Sequence, residues 1–267
     1  MRHERLGLHA YPAVLVGHYL PWALSELGEF EAAIARGRDA IRVGETVDHA
    51  YSIATANWGL AYVYVQRGEL DAAVRLLERT IALCRDLNIP ILLQISVELH
   101  GIAIARAGQV TQGISILREA ERSGKEADWL GHYHTLAVLW LSEAYARDRQ
   151  YPEAMQAASR ALGLARQSHH LTFEGWALRL LGEIALLSEP SEFATAEDNL
   201  RQALALGEKL GMRPLAARCH ANLAKLCART DRGTEAEERF RTAAEMFRAM
   251  GMKFWLEQAE AEFKALA

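Results

Sequence analysis

The sequence predicts an all-α fold: a right-handed α-α superhelix of about six long helix-turn-helix repeats followed by a C-terminal capping helix. Three observations carry that prediction. The stretch Asn57–Leu83, NWGLAYVYVQRGELDAAVRLLERTIAL, joins two apolar-periodic segments through an Arg-Gly-Glu turn, and a copy of it returns about every 40 residues. Small side chains hold those copies in one register from end to end. Nothing in the chain reads as a strand or as a domain linker, so residues 1–267 are expected to form a single repeat domain.

The register is set in the second helix of each pair, where a small residue recurs at Ala33, Ala73, Gly113, Ala154, Ala196 and Ala236. Seven residues later the same spacing returns at Ala40, Thr80, Ala120, Ala161, Ala203 and Ala243, so two independent positions agree. In the first helices the matching positions are Pro21, Ala61, Gly101, Ser142, Gly182 and Ala224, mostly preceded by leucine. Paired helices approach to about 8–10 Å only where the crossing point carries slim side chains and larger neighbours fill the grooves. The expected repeats are 12–46, 47–88, 89–128, 129–169, 170–211 and 212–250, with the capping helix at 252–266.

Taken in order, the first repeat is the least regular, because Pro21 removes a backbone donor inside its first helix and is expected to kink it. The second ends near Pro90. The third has His100 where leucine is expected and Glu121 where an apolar residue is expected, which makes it the softest link. The fourth begins near Trp129 and carries Pro152 in the first turn of its second helix, where proline is tolerated. The fifth holds extra residues around Glu189-Pro190-Ser191, lengthening a turn without losing register. After the sixth, Met252, Trp255, Leu256, Ala259, Phe263 and Leu266 form one apolar stripe with Lys253, Glu257, Glu260 and Lys264 outside it, the pattern of a helix that covers the end of a stack.

Trp58, Leu60, Ala61, Tyr64, Gly68, Leu70, Ala73, Leu77 and Ile81 together resemble a tetratricopeptide repeat, with a longer period and without most of the prolines that close such units. The stretches Trp176–Ala185, Arg201–Leu226 and Phe247–Phe263 resemble the C-terminal repeat region of large bacterial proteins that join a class III nucleotide cyclase domain and a predicted ATPase module to tetratricopeptide repeats. That resemblance implies a sensor or scaffold arm in bacterial signal transduction. The cyclase and ATPase parts have no counterpart in these residues.

Composition excludes several classes. With 51% hydrophobic residues the chain has ample material for a continuous core, and a formal charge of -4 from 30 Lys+Arg against 34 Asp+Glu argues against a nucleic-acid-binding surface. Cys84, Cys219 and Cys227 form no close metal-type pair, and an odd count suits a reducing compartment. His18 and Pro21 break the N-terminal apolar run, and no stretch approaches the roughly 18 apolar residues of a membrane span. A soluble, cytoplasmic protein is expected.

Catalytic signatures are missing. Ser123-Gly124-Lys125-Glu126 lacks the upstream glycine and the hydroxyl of a phosphate loop, and His3-Glu4 reaches Gly7 where a zinc-protease motif needs histidine. His132 with His134, and His169 with His170, point to different helix faces; Cys219 and Cys227 lie about two turns apart, too far for one zinc. No catalytic residue, cofactor or metal is assigned, and the chain reads as a non-enzyme.

The inner wall formed by the first helices is the candidate surface. Register places Tyr19, Trp22, Trp58 and Tyr62 along its N-terminal half, then Glu98, Arg106, Glu143 and Arg147, then Arg179, Glu183, Asn222, Lys225 and Arg229. Aromatic and arginine side chains are the commonest binding anchors, and a curved array presents them to an extended segment or helix. Each tryptophan weighs more heavily as core packing than as a contact, and pairs such as Arg179 with Glu183 also suit a solvated helix face. The expected function is a noncatalytic interaction scaffold or sensor whose partner is a protein or peptide segment, from an ATPase or cyclase signalling polypeptide or elsewhere. The alternative is a small-molecule effector sensor using the aromatic half. A homo-oligomer is compatible with either.

Overall fold

The computed structural model describes residues 10–124, 131–188 and 192–266, and every regular element among them is helical. They fall into two compact units, Met1–Glu126 and Ala127–Ala267. The first holds α1 (Pro12–Glu26), α2 (Phe30–Thr46), α3 (Ala50–Arg67), α4 (Leu70–Asp86), α5 (Pro90–Arg106) and α6 (Val110–Gly124). The second holds α7 (Gly131–Arg147), α8 (Tyr151–Gln167), α9 (Leu171–Ser188), α10 (Phe193–Leu210), α11 (Arg213–Arg229), α12 (Gly233–Ala249) and α13 (Lys253–Lys264). The helix pairs stand in the repeat order expected from the 40-residue register.

Within each unit one rule of packing repeats. The first helix of a pair lies against both helices of the pair before it: α3 on α1 and α2, α5 on α3 and α4, α9 on α7 and α8, α11 on α9 and α10, and α13 on α11 and α12. The sequence dictates this division. Helices such as α3 and α9 are apolar nearly all round and bury most of their length, whereas α4, α8 and α12 carry one buried stripe each and turn charge outward.

Every small residue of the predicted register is buried, including Ala33, Ala73, Gly113, Ala154, Ala196 and Ala236, each the fourth residue of its helix. The crossings differ in closeness. A Cβ on Gly113 would stand 2.6 Å from the Gly101 carbonyl oxygen and 2.6 Å from Ala105 Cβ, so α5 and α6 approach more closely than alanine permits. At the equivalent crossing of α7 and α8, Ser142 Oγ donates to the Ala154 carbonyl at 2.9 Å.

The turns share one design. Among the described residues the chain leaves ten of the helices through a left-handed residue, and the next backbone N–H reaches back to close the last turn, as Glu69 does to Tyr64 O at 2.8 Å and Gln150 to Tyr145 O at 3.0 Å. Gly28, Gly68, Gly108, Gly211 and Gly251 fill half of these positions; Asp48, Asn88, Arg149, His169 and Asp231 fill the others with positive φ. Pro12, Pro90, Pro152 and Pro214 stand in first turns, where their missing N–H is not needed. α1 runs from Pro12 to Glu26 with Pro21 inside it. The expectations for His3-Glu4, Lys125-Glu126, Trp129 and Glu189-Pro190-Ser191 fall outside the described residues.

Candidate functional site

In the first unit the aromatic residues of the candidate wall close on one another. Trp58 has no exposed surface, and its Nε1 donates to Ile95 O at 2.9 Å. Ring centroids lie 5.5 Å apart for Trp22 and Trp58, 5.0 Å for Trp22 and Tyr62, and 4.9 Å for His18 and Trp58. Tyr62 Oη donates to Glu26 Oε1 at 2.5 Å, and Gln66 Nε2 donates to the Tyr62 oxygen at 3.1 Å. Burial, reinforced by Glu26, holds the Tyr62 phenol neutral, well above its ordinary pKa. Trp58 and Tyr62 therefore hold α1, α3 and α5 together, and only Tyr19 of the four stands half exposed.

Glu98 and Arg106 are also inward. Arg106 Nη1 donates to Val65 O at 3.1 Å, tying α5 to α3. Gln94 Nε2 bridges Glu98 Oε1 at 2.7 Å and Ala120 O at 2.6 Å. Burial is the main cause that lifts the Glu98 carboxyl to about 7; Gln94 opposes it and Glu121 adds to it.

The second unit gathers a different constellation. Glu143 and Arg147 on α7, Arg179 and Glu183 on α9, and Asn222 and Lys225 on α11 come together with three groups that the inner-wall reading did not include: Trp176, Arg218 and Trp255. Arg147 donates to Glu143 at 3.3 Å, and Glu143 also lies 3.9 Å from Arg179 Nη2 and 3.7 Å from Arg218 Nη2. Arg179 pairs with Glu183 one turn on, and Lys225 Nζ reaches Glu262 on α13 at 2.8 Å. The Arg218 guanidinium sits 4.1 Å from the Trp255 ring centroid and 5.5 Å from that of Trp176, and Arg147 approaches Trp255 at 5.9 Å. Such cation–ring contacts strengthen as water is withdrawn.

Burial of Glu183 disfavours its charge, yet Arg179, Lys225 and Arg218 outweigh burial and hold its carboxyl down at about 2. Glu183 is thus held as a carboxylate among Arg179, Lys225 and Arg218 in a desolvated setting. Arg179 is 1% exposed and Asn222 is 3% exposed, but Arg179 Nε and Asn222 Nδ2 find no protein acceptor. Both line a recess of about 30 Å³ whose walls include Lys225, Trp255 and Gln258. Buried polar atoms are nearly always paired, so these two donors call for an acceptor that the chain's own groups do not supply.

Arg229 departs from this group. As the last residue of α11 it donates to Leu186 O and covers the Phe193 ring at 4.8 Å, joining α9, α10 and α11. Arg218 lay within reach of sequence reasoning, since Arg218, Asn222 and Lys225 follow the spacing of one helix stripe. Burial disfavours the thiolate at all three cysteines, pushing Cys219 up to about 12 and Cys84 to about 11 and raising Cys227 as well. Burial with Arg239 nearby lowers His220 to about 4. Among the described residues no three His, Cys, Asp or Glu side chains converge on a metal position, and no helix is long and apolar enough to cross a membrane.

With this geometry in place, comparison with known proteins bears on the fold. Residues 22–87 match the tetratricopeptide repeat family. That span runs from Trp22 in α1 to just past the end of α4 and contains Asn57–Leu83, on which the register was first read. No curated protein matches the sequence. Among solved structures the chain is similar to the Rap conjugation gene regulator of the plasmid pLS20 in complex with a Phr peptide. There the TM-score is 0.70 at 15% identity, over 89% of this chain and 62% of that one. It is similar to the apo form of RapI, with a TM-score of 0.67 at 13% identity, over 88% of this chain and 83% of that one. It is also similar to a signal transduction ATPase with numerous domains from Pyrococcus horikoshii that has a tetratricopeptide repeat sensor. For that protein the TM-score is 0.55 at 14% identity, over 94% of this chain and only 38% of that one. At these identities the likeness is one of fold.

Proposed function

We propose that this chain is a noncatalytic peptide-binding module of a signalling system, and that the cluster on α7, α9, α11 and α13 is where the segment of a partner protein docks. One observation carries the reading: Arg218 held between Trp176 and Trp255, beside buried donors on Arg179 and Asn222 that no protein group satisfies. Rigid aromatic and arginine anchors in a desolvated setting are the usual makings of a binding hot spot. The similarity in fold to a Rap regulator seen with a Phr peptide supports it. The resemblance of residues 176–263 to the repeat arms of ATPase and cyclase signalling proteins supports a place in signal transduction, as does the fold shared with an ATPase bearing a repeat sensor.

Fluorescence anisotropy with a library of labelled, end-capped synthetic peptides tests this on the full chain. Binders are expected, and the double substitution Arg147→Met and Lys225→Met is expected to weaken them at least about tenfold while leaving the melting temperature within a few degrees. Binding that survives the double substitution unchanged places the site elsewhere.

Effector sensing is the second reading, and one observation favours it: a groove of about 700 Å³ on α1 and α2, lined by Pro12, Val16, Leu20, Arg36 and Val43. Its size is that of a small-molecule site. A thermal-shift screen against metabolite-sized compounds, repeated with Val16→Glu, decides it; hits that Val16→Glu does not abolish remove the groove from consideration.

A further inference from the structure

We infer that the outer face of α1 and α2 is a dimer interface and that its occupant is a second copy of this chain. This face uses none of the residues of the peptide site. Across Pro12–Glu26 the only charged residue is Glu26, which is buried and accepts from Tyr62. A helix that is apolar on every side belongs inside a core. Among the described residues α1 packs only against α2 and α3, so one side of it is left open. Val16, Leu20 and Ala23 follow one another at helical spacing along that side; Val16 is 60% exposed and Leu20 38%. Forty residues on, the positions of Ala13 and Leu20 are held by Ile53 and Leu60 of α3, and there α2 lies over them. A Cβ on Gly37 would stand 3.0 Å from Leu60 Cδ1, and one on Gly44 3.2 Å from Ile53 Cγ1. The open side of α1 is therefore shaped as a seat for another helix. The last helix presents the opposite chemistry: α13 exposes Lys253, Glu257, Glu260 and Lys264, the polar outer face of a cap, and α1 has no such face.

Shape and charge select a copy of the same chain as the occupant. The groove of about 700 Å³ is bounded by Val16 and Leu20 on α1 and by Val43 on α2, with Gly17 against Ala40 where the two helices touch. One patch thus offers both protruding apolar side chains and the recess that receives them, which is what an interface built on a two-fold axis requires. The α2 wall carries Arg36, Asp39 and Arg42, so charges of both signs line the patch. Two copies related by a two-fold axis bring Asp39 of each toward an arginine of the other, whereas a partner of a single sign meets a like charge. The 15 residues of α1 run about 22 Å, and neighbouring helix axes lie about 10 Å apart, so a two-helix face falls at the low end of specific interfaces. A dissociation constant on the order of micromolar is expected for such an area.

Sedimentation equilibrium of the full chain, from about 1 to about 200 μM, tests this. A monomer–dimer equilibrium is expected. The double substitution Val16→Glu and Leu20→Glu places carboxylates in the interface of both copies and is expected to raise the dissociation constant at least about a hundredfold, with the helical circular dichroism spectrum unchanged. Val16→Ala, which adds no charge at an exposed position, is expected to raise it about three- to tenfold. Leu87→Glu makes the same kind of change at another exposed apolar residue of the first unit and is expected to leave the dimer intact. A monomer at every concentration overturns the inference, including one whose groove takes a small compound in the thermal-shift screen. So does a dimer that neither Val16→Ala nor the double substitution weakens, or that Leu87→Glu weakens equally. Masses that keep growing past two copies also overturn it, because a two-fold interface closes at the dimer.

Discussion

Replacing Gly113 by alanine separates the steric account of the repeats from a reading based on consensus and propensity. Five of the six repeats carry alanine at this position, and in the interior of α6 alanine is favoured over glycine by about 0.8–1 kcal/mol. On those grounds Gly113→Ala stabilises. The structure says the opposite: the new Cβ meets the Gly101 carbonyl oxygen at 2.6 Å and Ala105 Cβ at 2.6 Å, and the first of these is backbone that cannot rotate away. Separating α5 from α6 enough to relieve both contacts costs about 2–3 kcal/mol by analogy with other overpacked cores, leaving a net loss of about 1–2 kcal/mol. Gly163→Ala is the matched control. Gly163 lies exposed within α8 with nothing within 4 Å of the new Cβ, so the propensity gain appears alone, at about 0.5–1 kcal/mol. Urea titrations followed by circular dichroism, with calorimetric melting in parallel, measure both variants. The midpoint should fall for Gly113→Ala and rise for Gly163→Ala. If Gly113→Ala rises as Gly163→Ala does, the close crossing of the third pair is not real.

Other outcomes follow from the same structure. Glu98 is held near 7 against an ordinary 4.5, so its ionisation opposes folding. The stabilisation from the protonated form is full below pH 4.5 and is lost as pH rises from there to about 7, a swing of up to about 3 kcal/mol. Glu98→Gln should raise the melting temperature at pH 8, change it little at pH 4, and flatten the profile between. Glu183 behaves in reverse: its carboxyl is depressed to about 2, so its contribution is present above pH 4.5 and is lost as pH falls toward 2, again by up to about 3 kcal/mol. Acid titration of Glu183→Gln should show lower stability at neutral pH and a shallower decline below pH 4.5. Arg149 stands exposed with positive φ, so Arg149→Gly should stabilise by about 0.5–1 kcal/mol, read as a raised urea midpoint. Ala73→Leu overpacks the second crossing and should lower stability by about 1–3 kcal/mol in the same assay.

The helix pairs were legible because close crossings tolerate only slim residues, and Ala33, Ala73 and Ala236 all arrive in the packed stripe of their helices. Half of the turns were not legible. A left-handed residue announces itself when it is Gly68 or Gly108, but Arg149 and His169 give no such sign; their conformation is imposed by the helices that each turn must join. Projection onto helix faces ran Glu98 and Arg106 on into Glu143 and Arg147, and then listed Arg179, Glu183, Asn222, Lys225 and Arg229; Glu98 and Arg106 instead pack within the first unit, while Glu143, Arg147, Arg179, Glu183, Asn222 and Lys225 gather in the second. It did not distinguish those side chains from Arg229, because the end of α11 lets Arg229 bend toward Leu186 O. Trp255 read as part of a capping stripe, and its apolar neighbours justify that; its ring over Arg218 depends on how α13 meets α11, which no local pattern encodes.

The central claim is that the cluster on α7, α9, α11 and α13 is a docking surface for a peptide. Photocrosslinking tests it most directly: a library binder carrying a benzophenone side chain is irradiated on the full chain and the adducts are mapped by mass spectrometry. Adducts are expected at Arg147, Lys225 and Glu262, the more exposed edge of the cluster, and at their immediate neighbours. Adducts confined to the outward stripes of α8, α10 and α12, or to the first unit, contradict it.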